Sequence, residues 1–205
     1  MKSEYISFDK VRNNAIKLAY EIVTKWGIPD IIYVSLRGGA AMGNIMSDYF
    51  RILAGNKKTI LYAAVVARSY EGPGKSSEVT VDGWTLDPSN LTRGAKVLLV
   101  DDIFDTGKTI NYLVKHLVGT GLKMADIKIA VHDYKVRTYL KEQQPAVPDF
   151  YCYKHIVDSL ADDFWIHYLI HELTGLSDQE LDCHFAAQDS GMLDAIEYLK
   201  VSRKK

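Results

Sequence analysis

The stretch from Val97 to Thr109, VLLVDDIFDTGKT, constrains the fold more than any other part of the chain. Val97 to Val100 form an apolar, branched run that suits a buried strand. Two carboxylates, Asp101 and Asp102, end that run, and a third follows at Asp105. Beyond Gly107, the apolar residues Ile110, Leu113, Val114, Leu117 and Val118 recur on one helical face, and Gly119 and Gly121 stop the helix. Strand, polar loop and helix in that order form part of a parallel βαβ unit.

The same alternation runs along the chain. Val11, Ala15, Leu18, Ile22 and Trp26 space a helix over 10–26, ended by Gly27 and Pro29. Residues 31–36, IIYVSL, read as a buried strand that leads into Arg37-Gly38-Gly39 and a small-residue helix over about 40–53. Strands are expected at 59–67, 127–131 and 150–153. Residues 69–90 break the pattern, with Gly72, Pro73, Gly74, Gly83 and Pro88 among polar neighbours. That is long for a loop in a compact domain and predicts a functional flap or mobile hairpin, with Val79 and Val81 in a short strand. The end of the chain predicts helices at 161–173, 177–188 and 190–201 and a basic, solvated tail. The expected architecture is α/β: a mostly parallel sheet flanked by helices, a flexible lid, and a helical C-terminal appendage. The expected domain is 1–172, with 173–205 as an extension packed on it.

Composition adds exclusions. A length of 205 residues suits one domain with a small appendage, and a hydrophobic fraction of 47% is enough for a real core. The 25 basic and 26 acidic residues leave a net charge of -1, so no global basic field favours nucleic acid. The longest apolar run, 60–67, is far below a membrane span. The N-terminal residues are polar, without the apolar core of a secretory signal. Cys152 and Cys183 show no paired-motif spacing and read as buried thiols, which predicts a cytoplasmic protein.

In a parallel sheet, ligands bind beyond the carboxyl ends of the strands. Arg37-Gly38-Gly39, Arg68-Ser69-Tyr70, Asp101-Asp102 and Lys135 all leave predicted strands at that edge. Gly107-Lys108-Thr109 is not the end of an ATP-type loop. That loop needs a glycine where this chain has Asp102, and a carboxylate there would repel a triphosphate. A helix start with the hydroxyls of Thr106 and Thr109 suits a single phosphate instead. Asp101 and Asp102 suit sugar hydroxyls or a hydrated Mg²⁺. Taken singly, Asp105 reads as a helix cap and the acid pair as a solvated strand end; together in one unit they favour a site.

VLLVDDIFDTGKT resembles the phosphoribosyl pyrophosphate motif of type I phosphoribosyltransferases: four apolar residues, two acids, two variable residues, then D-T-G-x-T. The resemblance extends more thinly from about Ser35 to Glu172. Within that family an acid at position 105 is similar to the 6-oxopurine enzymes, for hypoxanthine, guanine or xanthine. The resemblance implies that Asp101 and Asp102 bind the ribose hydroxyls and the Mg²⁺ that accompanies the pyrophosphate. It implies that Asp105 is the catalytic acid/base near purine N7. Thr106, Gly107, Lys108 and Thr109 would hold the 5′-phosphate. Ser35 to Gly39 is similar to the short pyrophosphate-binding loop, which implies contacts from Arg37 and Gly38 and a non-proline cis peptide at Leu36-Arg37. Ser69 and Tyr70 resemble the pair on the family's lid. Lys135 is similar to the lysine that donates to the purine 6-oxo group, and a pure donor disfavours the amino group of adenine. Trp165 resembles the aromatic that stacks on the base, although the Pro and second Trp of some relatives are absent from the segment that follows it.

The implied activity is a Mg²⁺-dependent purine phosphoribosyltransferase of purine salvage. Its substrates would be small molecules, with neither nucleic acid nor membrane as a partner, and its assembly a homodimer or homotetramer. Arg68, Lys75 and Arg93 are further basic candidates for the pyrophosphate. The alternative is a non-catalytic sensor of phosphoribosyl pyrophosphate on the same fold, disfavoured by the presence of Asp105, the 37–39 loop and Lys135. His167 and His171 stand four apart, followed by Glu172, a spacing able to hold a metal. With no third ligand evident, they read as core or surface histidines.

Overall fold

A computed structural model describes residues 2–69, 79–140 and 145–203. The chain divides into two compact units, residues 9–163 and residues 1–8 with 164–205. The elements, in chain order, begin with β1 (Lys2–Ile6), α1 (Phe8–Lys25), β2 (Ile31–Leu36), α2 (Ala40–Ala54), β3 (Leu61–Ser69) and β4 (Val79–Trp84). They continue with β5 (Val97–Phe104), α3 (Lys108–Gly119), β6 (Ile127–Arg137), β7 (Phe150–Val157) and β8 (Phe164–Tyr168), and end with α4 (Asp178–Leu181) and α5 (Leu193–Ser202).

The larger unit is built on a six-stranded sheet in the order β4-β3-β2-β5-β6-β7. All neighbours are parallel except β3 and β4. Val97, Leu98, Leu99 and Val100 are all fully buried, as a central parallel strand covered on both faces requires. Val97 and Leu99 share one core with Ile110, Leu113 and Leu117 of α3, the helical stripe expected from the sequence. From β2 the chain moves outward to β3; from β5 it moves the other way to β6. The order therefore reverses between β2 and β5, and the crevice beyond their carboxyl ends is where such sheets bind ligands.

Two strands run further than their apolar runs suggest. β5 continues to Phe104 and β6 to Arg137, because Ile103 pairs with Asp133, Phe104 with Tyr134, and Lys135 with His155 on β7. Cross-strand pairing carries both strands past the point where hydrophobicity ends. Asp101, Asp102 and Lys135 therefore lie within strands and not just beyond them.

The smaller unit corrects the expected helix at 161–173. Residues 164–168 are β8, which pairs in parallel with β1 from Lys2↔Phe164 to Ile6↔Tyr168. Phe164, Trp165, Ile166 and Tyr168 are aromatic or β-branched, so they suit a strand once a partner exists. That partner is the polar N-terminal segment, which showed no strand signal of its own. The unit boundary falls at 163/164, whereas the expected domain ran to 172. The unit has its own small core of Leu176, Leu181, Ala186 and Ile196. Tyr5 stacks on His167 and His184 and donates a hydrogen bond to Glu180. Ser177 caps α4 through a reciprocal capping box with Glu180. The Tyr5 hydroxyl, with the Ser177 amide and hydroxyl, holds the Glu180 carboxyl down at about 2. Cys183 is exposed, a correction to the expected buried thiol: Leu181 and Ala186 turn inward and it turns out. Cys152 is largely withdrawn from water, and burial pushes its thiol up to about 12. Among the described residues no helix is long and apolar enough to cross a membrane.

Candidate active site

The acid pair sits on the end of β5, against the loop that leaves β2. The Leu36-Arg37 peptide is cis, as expected for residues 35–39. Gly39 N–H donates to Ser35 O at 2.9 Å, which folds the loop back on its strand. A side chain at Gly38 would collide with the Asp102 carboxylate, and one at Gly39 with the Val100 carbonyl. Only glycine lets this loop lie flat on the acidic strand. Asp102 N–H donates to Asp101 Oδ1 at 3.0 Å. Burial and the neighbouring Asp102 charge raise the Asp101 carboxyl well above the ordinary range, against the opposing pull of the Ser35 hydroxyl and the Asp102 amide.

The next loop turns sharply into α3. Gly107 has φ +74°, in the left-handed region, and serves as the N-cap residue without a side-chain cap. The first helical bond runs from Asn111 N–H to Gly107 O at 2.9 Å, so the first-turn amides have no acceptor inside the helix. The Asn111 side chain reinforces the turn. Its amide donates to Gly107 O at 3.0 Å and to Ala146 O at 2.9 Å, and it accepts from Ala146 N–H at 2.8 Å. Lys108 N–H lies 3.5 Å from Thr106 Oγ1, and residues 106–109 form a helix start, the arrangement that suits a phosphate.

Beside this loop lies a cleft of about 420 Å³, lined among others by Asp105, Thr106, Tyr134, Lys135 and Arg137. Lys135 is almost fully buried, with Nζ 3.2 Å from Asp163 Oδ1 and 3.4 Å from Asp105 Oδ1. Arg137 bridges the same two acids. Its Nε is 2.7 Å from Asp163 Oδ2, Nη2 is 2.7 Å from Asp105 Oδ1, and Nη1 donates to Asp105 O at 2.7 Å. Burial alone would raise the Asp163 carboxyl, but hydrogen bonds from Arg137 and Lys135 outweigh it and hold the group at about 2.

The structure thus brings Arg37, Gly38, Asp101, Asp102, Asp105, the 106–109 loop and Lys135 to one sheet edge within the larger unit. Trp165 belongs to the smaller unit, on β8, half-exposed and with its ring 6.3 Å from that of His167. Ser69 is the last residue of β3, paired with Val79. Tyr70 and Lys75 lie outside the described residues. Arg93 precedes β5 and so lies at the amino edge of the parallel strands, away from the crevice, which removes it as a pyrophosphate candidate. His167 and His171 do not share a helix: His167 is on β8, 3.2 Å from Glu172, and His171 is in the turn that follows. Among the described residues no cluster of three acidic, histidine or cysteine side chains could hold a metal. Arg137, Asp163 and Asn111 are the residues that sequence reasoning missed. The alternation Asp133, Lys135, Arg137 was the available signal, since every second residue of a strand shares a face.

The model of the phosphoribosyl transferase domain family matches residues 7–167. The hypoxanthine/guanine phosphoribosyltransferase of Methanohalophilus mahii is 33% identical over 78 residues, 37% of this chain and 41% of the relative. The chain thus matches less than half the length of that relative. Solved structures of other proteins share the fold. The purine phosphoribosyltransferase from Pyrococcus horikoshii Ot3 is 22% identical, with a TM-score of 0.63 over 86% of this chain and 99% of that one. A protein from Neisseria gonorrhoeae with bound ppGpp is 19% identical, with a TM-score of 0.64 over 92% and 98%. The family match covers well over half of the chain, which therefore belongs to the phosphoribosyl transferase domain family.

Proposed function

We propose that this protein transfers the phosphoribosyl group of phosphoribosyl pyrophosphate to a 6-oxopurine base, hypoxanthine, guanine or xanthine. The products are a nucleoside 5′-monophosphate and pyrophosphate. The observation that carries this reading is the pairing of Asp105 and Lys135 in one cleft, an acceptor and a donor with 3.4 Å between Oδ1 and Nζ. A 6-oxopurine offers the complementary pair on one edge: a proton at N7 and an oxygen at C6. Adenine would set its amino group against an ammonium that can only donate.

In the reaction the bond between ribose C1 and the pyrophosphate oxygen breaks, and purine N9 forms the new bond to C1. Asp105 accepts the N7 proton as N9 attacks. The amides and hydroxyls of residues 106–109 hold the 5′-phosphate, and Arg37 with the Gly38 backbone faces the departing pyrophosphate. Asp101 and Asp102 fit a hard cation, since two carboxylates crowded together gain from a positive charge between them. They are fewer than a full ligand set, which suits Mg²⁺ with its other oxygens drawn from water and from substrate. Bound there, the ion would offset the charge that develops on the leaving group. We place the protein in the cytoplasm as a homodimer or homotetramer.

The test is incubation with phosphoribosyl pyrophosphate, Mg²⁺ and each of hypoxanthine, guanine, xanthine, adenine and orotate, followed by pyrophosphate release. Turnover is expected with at least one 6-oxopurine and with neither adenine nor orotate. No turnover with any base, alongside tight binding of phosphoribosyl pyrophosphate, would replace the enzyme by a sensor. Sedimentation equilibrium of the same preparation reads the assembly.

A further inference from the structure

The mechanism above uses Asp105 and Lys135 but leaves Arg137 and Asp163 without a role. Arg137 is nearly buried, its side chain 11% exposed, and it spends three donors on two partners. Two go to Asp105, one on the backbone oxygen and one on Oδ1; the third goes to Asp163. A guanidinium fork is planar and rigid, so these contacts fix where the Asp105 carboxylate stands and how it is turned. Asp105 Oδ2 accepts no hydrogen bond among the described residues, and the side chain is 37% exposed, so one oxygen is anchored and the other is left to the cleft. Asp163 in turn takes Arg137 Nε on one oxygen and Lys135 Nζ on the other. Both groups that would meet the purine edge are thereby referenced to one buried carboxylate.

We infer that Arg137, seated on Asp163, is a positioning residue that sets Asp105 Oδ2 for the N7 proton and keeps Asp105 in register with Lys135. The inference rests on the transferase reading for its consequences, while the anchoring itself does not. A carboxylate without this tie would sample several rotamers, and a misplacement of about 1 Å costs roughly 100-fold in rate. Lysine in place of arginine would retain one charge but could not reach three acceptors at once.

The charged groups that face Asp105 are Lys135 and Arg137 on β6, with Asp163 behind them. Steady-state kinetics on wild type, Arg137→Met and Arg137→Lys should differ in kind. For Arg137→Met, kcat falls on the order of 100-fold while the KM for phosphoribosyl pyrophosphate changes little. For Arg137→Lys kcat is partly restored. Hydrogen exchange of the amides at 105–107 in the ligand-free proteins supplies a readout that needs no turnover, and it should accelerate in Arg137→Met more than in Arg137→Lys. Unchanged exchange together with an unchanged kcat would overturn the inference, as would a gain in kcat, which would make Arg137 a lock instead. A wild type that turns over no base would overturn the proposed function, and the exchange data would still decide the anchor.

Discussion

Asp105 carries the heaviest chemical burden of any single side chain, and Asp105→Asn tests it directly. The amide keeps the volume but cannot take a proton. We expect kcat to fall by about 10² to 10⁴-fold while the KM for phosphoribosyl pyrophosphate stays near wild type. Gly38→Ala makes a different residue-scale prediction. Its methyl group would occupy the place of the Asp102 carboxylate, so the variant should fold with a normal far-ultraviolet spectrum yet lose about 100-fold in kcat/KM. Asp163 supplies a pH prediction. Its folded value of about 2 lies below the ordinary 3.8. The stabilisation is therefore complete above the ordinary value and is lost as pH falls through about 2. Denaturant melts across that range should show the loss in wild type and a flatter response in Asp163→Asn. At neutral pH the same variant should be less stable by about 3 kcal/mol, because Lys135 and Arg137 keep their burial and lose a charged partner.

Among the elements, the turn into α3 is the most exacting. Gly107 sits at φ +74°, where a β-carbon costs about 1 kcal/mol or more. Asn111 holds the carbonyl of that same residue and both backbone groups of Ala146. Asn111→Ala leaves those groups without their partner and should destabilise the fold by about 1 to 3 kcal/mol, read as a shift in the urea midpoint at constant slope. It should also weaken phosphoribosyl pyrophosphate binding, since the phosphate-holding amides start from that turn. β8 teaches the opposite lesson. Its residues fit a helical spacing and a strand equally well on a local reading, and only pairing with β1 decides between them.

The whole molecule owes its site to where the strand order reverses. β2 and β5 are neighbours although β3 and β4 intervene in sequence, and this brings the 37–39 loop onto the acid pair of β5. Most of this was legible beforehand. The strand at 31–36, the helix that follows it, the buried start of β5, the stripe of α3 and the cis peptide were all expected from the chain. The elements rest on short-range physics, branched apolar runs and 3.6-residue spacing, whereas the cis peptide was implied by the resemblance of residues 35–39 to the pyrophosphate-binding loop of phosphoribosyltransferases. The sequence by itself therefore determined that this is an α/β chain of the phosphoribosyl transferase family and which loops meet at the sheet edge. What the tertiary structure alone decided comes from contacts between distant residues. The extra length of β5 and β6 comes from pairing with each other and with β7. The strand nature of 164–168 comes from a polar partner at the opposite end of the chain. The tie of Arg137 to Asp105 and Asp163 spans 32 and 26 residues. The alternation of Asp133, Lys135 and Arg137 marks a shared strand face but not the partners on it, because an ion pair is specified by two side chains meeting across the fold and not by the neighbours of either one.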